Sequence, residues 1–388
     1  MTVTAASGFE AAGIHAGLKS EGRPDLALVV NRGPLDAAAA VFTSNRAKAN
    51  PILWSQQAIA GGAAKAIVLN SGGANCFTGH EGFQTTHATA EAVAVSLTAT
   101  GLETGAGEVQ VCSTGLIGEP LPRESLLVGV PAAVAALAAD GGADAARAIM
   151  TTDSVPKTAV RERNGWTIGG MAKGAGMLAP GLATMLVVIT TDAELGAGEL
   201  DAALRRATGV SFDRLDSDGC MSTNDQVTLM ASGASGIVPE FELFVDELTA
   251  LCVDLARQLQ RDAEGSSHDI VIEVTGAATE ADAVEVGRSI ARNNLFKAAV
   301  FGNDPNWGRV LAAIGTTQAA FDPYDVDVTM NGVRVCHAGG PDRPRDEVDL
   351  TPRETHVLLD LHAGDAAATI YTNDLTYDYV HENSAYSS

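Results

Sequence analysis

The chain has 388 residues, 46% of them hydrophobic, 19% charged and 5% aromatic, which suits an ordered globular protein and excludes a disordered one. Its 48 Asp and Glu against 25 Lys and Arg give a formal charge of −23, which would repel a phosphate backbone and excludes a nucleic-acid binder held by phosphate contacts. The longest apolar run, residues 126–139, contains Gly129 and Pro131 and falls short of the roughly 20 residues a bilayer needs, so no membrane span is expected.

In chain order, residues 26–30 and 66–69 are short apolar runs predicted as buried strands, followed by a helix over 85–98 and a strand over 109–112. A helix over 143–150, a strand over 185–189 and helices over 198–207, 241–260 and 280–294 come next. The last opens Thr279-Glu280-Ala281-Asp282, with carboxylates in the first turn where the helix dipole favours them. Beyond residue 300 the texture changes. Residues 325–330 and 333–336 alternate around Asn331-Gly332, a strong hairpin signal. A second pair, residues 355–361 and 367–371, is joined through Ala363-Gly364-Asp365. This organisation predicts a larger N-terminal α/β unit over 1–275 and a smaller α+β unit over 276–388, with the boundary somewhere in 265–300.

The five cysteines (Cys76, Cys112, Cys220, Cys252 and Cys336) are scattered and form no C-x-x-C pair. With no H-E-x-x-H among the histidines either, neither a disulfide framework nor a metal site is expected. No Lys or Arg precedes Lys19, so no secretory leader is read, and a reducing cytoplasm fits best.

Three Gly-rich stretches carry the candidate chemistry. Asn70 to Asn75 and Ser113 to Gly118 each follow a predicted strand, and Gly169 to Met177 leads into Leu178-Ala179-Pro180-Gly181. Such turns let backbone N–H groups approach a ligand or a developing oxyanion, or they are simply tight turns. None has the spacing of a nucleotide-binding loop. From its residues alone, Thr184 is an ordinary β-branched residue entering a buried strand.

Taken together, Lys-Gly-Ala-Gly-Met-Leu-Ala-Pro-x-x-Ala-Thr-Met-Leu (173–186) resembles the self-cleavage segment of the ornithine acetyltransferase family, glutamate N-acetyltransferases of arginine biosynthesis. Segments 69–75, 112–118, 149–153, 222–225, 262–265, 301–309 and 382–388 fit the same family in order, so the resemblance spans essentially the whole chain. It implies an α/β fold of helix-flanked sheets, of the type shared with self-cleaving aminopeptidases. It implies scission between Ala183 and Thr184 into fragments 1–183 and 184–388, with Thr184 as the nucleophile and its freed α-amine as the base. Acetyl would move from N2-acetylornithine to glutamate by a ping-pong route, with Thr114 and Gly115 holding the oxyanion. Substrate contacts map onto Thr151, Lys173, Thr184, Glu264, Asn383 and Ser388, with Thr152 an equally placed alternative to Thr151. The resemblance implies no cofactor, acetyl-CoA being a co-substrate of bifunctional members only, and an assembly with two copies of each fragment. The competing readings are a self-cleaving aminopeptidase or amidase, in which water resolves the acyl-enzyme, and a non-catalytic amino-acid-binding protein that is never cleaved.

Overall fold

The computed structural model describes residues 2–179 and 185–385. The chain begins with β1 (Phe9–Ile14), β2 (Leu26–Asn31), β3 (Ala37–Phe42), α1 (Asn50–Ala58), β4 (Ala66–Asn70), α2 (Gly79–Ala99), β5 (Val109–Ser113), α3 (Arg123–Ala135) and α4 (Gly142–Ala148). It continues through β6 (Lys157–Arg163), β7 (Trp166–Lys173), β8 (Leu186–Thr191), α5 (Ala197–Gly209), β9 (Gln226–Ala231) and α6 (Phe241–Arg261). The remainder forms β10 (Asp269–Ala277), α7 (Glu280–Ala291), α8 (Asn294–Phe301), α9 (Trp307–Ile314), β11 (Asp327–Met330), β12 (Val333–His337), β13 (Gly340–Pro341), β14 (Glu354–Asp360), β15 (Ala366–Asn373) and α10 (Tyr377–Ala385).

These strands build three sheets, ordered β1-β2-β4-β5, β3-β9-β8-β7-β6 and β13-β12-β11-β14-β10-β15. Side-chain alternation shows how the first two stack. Ala27 and Val29 of β2 share one core with Leu186 and Val188 of β8. The opposite faces differ: Leu28 and Val30 pack under α2 and α3, while Val187 and Ile189 pack under α5 and α6. Both strands are therefore buried on both faces, which is why they read as unbroken apolar runs rather than as alternation. The layers run helix, sheet, sheet, helix, the helix-flanked α/β arrangement expected from the sequence. At about 1.5–3 kcal/mol per fully buried aliphatic side chain, these cores supply the main stabilisation.

The third sheet has its own core with α7, α8 and α9. Asn331 and Gly332 adopt φ values of 44° and 83° and close the predicted β11–β12 hairpin. The second predicted pair is corrected. β14 and β15 are not neighbours, because β10 inserts between them, parallel to β14 and antiparallel to β15. A local turn signal cannot reveal a strand that arrives from far upstream. The helix predicted over 280–294 also ends early, at Ala291, because the Asn293 side chain accepts the Phe296 N–H at 2.9 Å and starts α8. No helix among the described residues is long and apolar enough to cross a membrane.

Candidate active site

β4 and β5 run parallel, Asn70 opposite Ser113, so the loops that follow them leave the first sheet side by side. Gly73 N–H donates to Thr114 O and Ala74 N–H to Leu116 O, each at 3.0 Å. Gly115 has φ 124°, and a Cβ there would lie 2.9 Å from Gly73 N, so both the backbone angle and the space require glycine. The second sheet meets these loops from the other side. Lys173 ends β7, Ser222 to Asn224 precede β9, and the Asn224 amide donates to Ala74 O at 2.6 Å and Ser113 O at 2.8 Å. Glu264 follows the C-terminal end of α6, and Asn383 of α10 donates to its Oε2 at 3.0 Å. Thr114, Gly115, Thr151, Thr152, Lys173, Glu264 and Asn383 thus line one cavity of about 230 Å³, together with Ser222, Thr223 and Asn224.

Lys173 is 1% exposed, and its ammonium donates to Thr151 Oγ1 at 2.7 Å and Thr114 Oγ1 at 3.2 Å. An ammonium has only donors, so both hydroxyls must act as acceptors toward it and keep their own protons for another partner. Both border the cavity, so Lys173 makes Thr114 and Thr151 donors for a carboxylate or an oxyanion placed there. Burial pushes the Lys173 ammonium below its usual value, and Asp153, 3.8 Å away, opposes that shift.

Asp153 organises the neighbourhood. Its carboxylate accepts Lys157 Nζ at 2.6 Å, Gly174 N–H at 2.7 Å and Thr151 N–H at 2.9 Å. Lys157 in turn bridges to Asp262 at 2.6 Å, two residues before Glu264. Burial alone would raise Asp153, but the charges of Lys173 and Lys157 and the donors on it hold it well below the usual carboxylate range. This chain of buried charges ties the 151–154 loop, the end of β7 and the segment after α6 into one wall.

The structure therefore gathers Thr114, Gly115, Thr151, Thr152, Lys173, Glu264 and Asn383 around a single cavity. Ala183, Thr184 and Ser388 lie outside the described residues. Of the two adjacent threonines, both border the cavity, and Thr151 is the one whose hydroxyl accepts the Lys173 ammonium. Sequence reasoning did not assign Asp153, Lys157, Asp262 or Asn224. The first, third and fourth sit inside segments already singled out, Asp153 one residue from Thr152 and Asp262 two from Glu264, whereas Asn224 has no assigned neighbour. Lys157 carries no comparable signal and is visible only in three dimensions. Among the described residues no group of His, Cys, Asp and Glu side chains is arranged to hold a metal ion.

A layered α/β fold with hydroxyl and ammonium groups and a glycine turn gathered at one small cleft defines an enzyme equipped for acyl chemistry. The ArgJ family model matches residues 10–388, and the chain belongs to that family. It is 64% identical over 388 residues to the arginine biosynthesis bifunctional protein ArgJ of Streptomyces coelicolor, covering 100% of both chains. The protein of the same name from Mycobacterium leprae is 57% identical, covering 100% of this chain and 96% of that one. Among solved structures, the ornithine acetyltransferase of Mycobacterium tuberculosis in complex with ornithine is 56% identical, with a TM-score of 0.46, over 48% of this chain and 96% of that chain.

Proposed function

We propose that this chain moves the acetyl group of N2-acetylornithine to glutamate in arginine biosynthesis, through an acetyl-enzyme on Thr184. The observation that carries this is the placement of the Lys173 ammonium against the Thr114 and Thr151 hydroxyls, in the same cavity as the Glu264 carboxylate, in a chain of the ArgJ family. The cavity offers positive charge and donors from Lys173, Thr114 and Thr151, and a carboxylate from Glu264. An amino acid brings the complement of both.

The chain first cleaves itself before Thr184. The Thr184 hydroxyl attacks the Ala183 carbonyl carbon, the acyl group passes from nitrogen to oxygen, and water hydrolyses the ester to release residues 1–183. The freed α-amine, with an ordinary pKa of about 7.7–8.0, then takes the hydroxyl proton within the same residue. In turnover, Thr184 Oγ attacks the acetyl carbonyl, the Thr114 hydroxyl and Gly115 N–H donate to the oxyanion, and ornithine leaves with the proton. Glutamate's neutral amine then attacks the acetyl-enzyme and regenerates the hydroxyl. Lys173 and Thr151 receive the substrate carboxylate, while Glu264, held by Asn383, receives an ammonium, with Ser388 completing the site. Acetyl-CoA serves as an alternative acetyl donor rather than as a resident cofactor. The fragments assemble with two copies of each, in the cytoplasm.

Intact mass spectrometry together with labelled acetyl transfer tests the reading. Active protein should show fragments 1–183 and 184–388 and pass label from N2-acetylornithine to glutamate faster than to water. An intact active chain, or label released only to water as an amidase would release it, refutes the proposal.

A further inference from the structure

Asp225 is fully buried, borders no step of the chemistry above, and stands immediately before β9. β8 and β9 are parallel with Leu186 opposite Gln226, so the residues preceding each strand, Met185 and Asp225, also meet. Met185 N–H donates to Asp225 Oδ1 at 3.1 Å, and Gln226 N–H donates to Met185 O at 3.2 Å. Both backbone polar groups of residue 185 are therefore taken by 225–226. Asp225 is itself braced from the far side, where Thr43 N–H donates to its carbonyl at 3.0 Å.

Resting on the reading of Thr184 as the nucleophile, we propose that Asp225 is a positioning residue: its carboxyl holds the N–H of the peptide bond that follows Thr184 and so aligns the nucleophile for scission and for acetyl transfer. A peptide unit is planar, so anchoring the nitrogen at 185 constrains the whole unit joining it to residue 184.

The chemistry of the anchor matters as much as its place. Asp225 Oδ2 has no hydrogen-bond partner among the described residues, and the nearby Thr43 hydroxyl donates instead to Ser222 O at 2.7 Å. An ionised carboxylate so buried is costly, which favours the protonated form. Burial pushes it well above the usual carboxylate range, against the partial opposition of the Met185 N–H, the neighbouring hydroxyls and Lys173. A neutral acid suits the task. Met185 follows Thr184 directly in the chain, and a full negative charge beside its N–H would favour the ammonium form of an α-amine freed at residue 184, which cannot act as a base. Asp225 thus supplies an acceptor whose charged form burial disfavours.

The test uses full-length protein carrying Asp225→Asn, which keeps the acceptor and the shape, or Asp225→Leu, which keeps the volume and removes the acceptor. Asp225→Asn should cleave and turn over within about threefold of wild type with the same pH–rate profile, because the hydrogen bond survives. Asp225→Leu should stay largely uncleaved, and any matured enzyme should lose about tenfold or more in kcat at similar KM, the scale of one lost buried hydrogen bond. Amide hydrogen exchange at Met185, protected in wild type and in Asp225→Asn, gives a readout that does not need Asp225→Leu to fold. The proposal is overturned if Asp225→Leu matures and turns over normally, if Asp225→Asn loses activity or shifts the profile, or if the Met185 amide exchanges freely in wild type. A wild type that is never cleaved would overturn the functional reading itself. A cleaved wild type with indifferent variants would overturn this inference alone.

Discussion

Lys173 at the cleft and Lys297 of α8 are both buried ammonium groups set among carboxylates, yet their partners differ in kind. Lys297 Nζ donates to the Ser217 carbonyl and, at 3.4 Å, to Thr372 Oγ1 on β15. Those partners are themselves committed, since Thr372 Oγ1 donates to Asp216 O at 2.6 Å and Ser217 Oγ to Asn373 Oδ1 at 2.6 Å. That charge stitches the 216–218 loop to α8 and the third sheet. Lys173 instead touches two hydroxyls that keep their protons, beside a carboxylate already shared with Lys157, and the ammonium and both hydroxyls border a cavity. The contrast separates a buried charge used for assembly from one used for recognition: the first ends on a backbone carbonyl and a hydroxyl already committed elsewhere, the second on groups that still have something to offer a ligand.

Four substitutions would break or sharpen that contrast. The largest effect is expected for Asp153→Asn, which leaves Lys157 and Lys173 without their shared anion and should cost about 3–5 kcal/mol of stability by denaturant unfolding. Equal stability would show that the charge chain does not hold the cleft wall. Thr114→Val should lower kcat by about 10²–10³, the usual loss for one oxyanion donor, with an unchanged melting temperature. A variant that loses KM alone would place the hydroxyl on the ground state instead. Asn383→Ala removes one exposed hydrogen bond to Glu264, so steady-state kinetics should show KM rising severalfold, about 1 kcal/mol, with kcat retained.

The smallest effect concerns Lys297, which burial lowers from 10.5 to about 8 against the pull of Asp218, Asp216 and Asp374. Between about 8 and 10.5 the unfolded chain holds more protons than the folded one, so this group makes stability rise with pH across that window. Lys297→Met should flatten the rise in unfolding free energy measured between those limits. An unaltered slope would mean that the stitched lysine does not titrate differently on folding.

Much of this was legible beforehand, for reasons that particular residues make plain. Residues 26–30 and 185–189 announce strands because both of their faces are buried, and Asn331-Gly332 announces its hairpin because few other residue pairs accept two positive φ angles. Thr114, Gly115, Lys173, Glu264 and Asn383 were each named through the family resemblance, and the cavity gathers them. What escaped has equally concrete causes. β10 slips between β14 and β15 because strand neighbours are chosen by register and core packing over the whole chain. Lys157 looks like any lysine at the start of a strand until Asp153 and Asp262 close on it.

The amino-acid order by itself determined which stretches are apolar on both faces, which turns need glycine, and which side chains are chemically able to hold an anion or an ammonium. These are properties of a residue and its immediate neighbours, set by sterics, hydration and charge. Only the tertiary structure decided that Lys173 reaches Thr114 across 59 residues, that one carboxylate serves two lysines, and that Asp225 meets Met185. Such pairings arise when distant segments are desolvated together, because only in a shared low-dielectric interior must each buried donor and acceptor find a partner that its own neighbourhood in the chain does not provide.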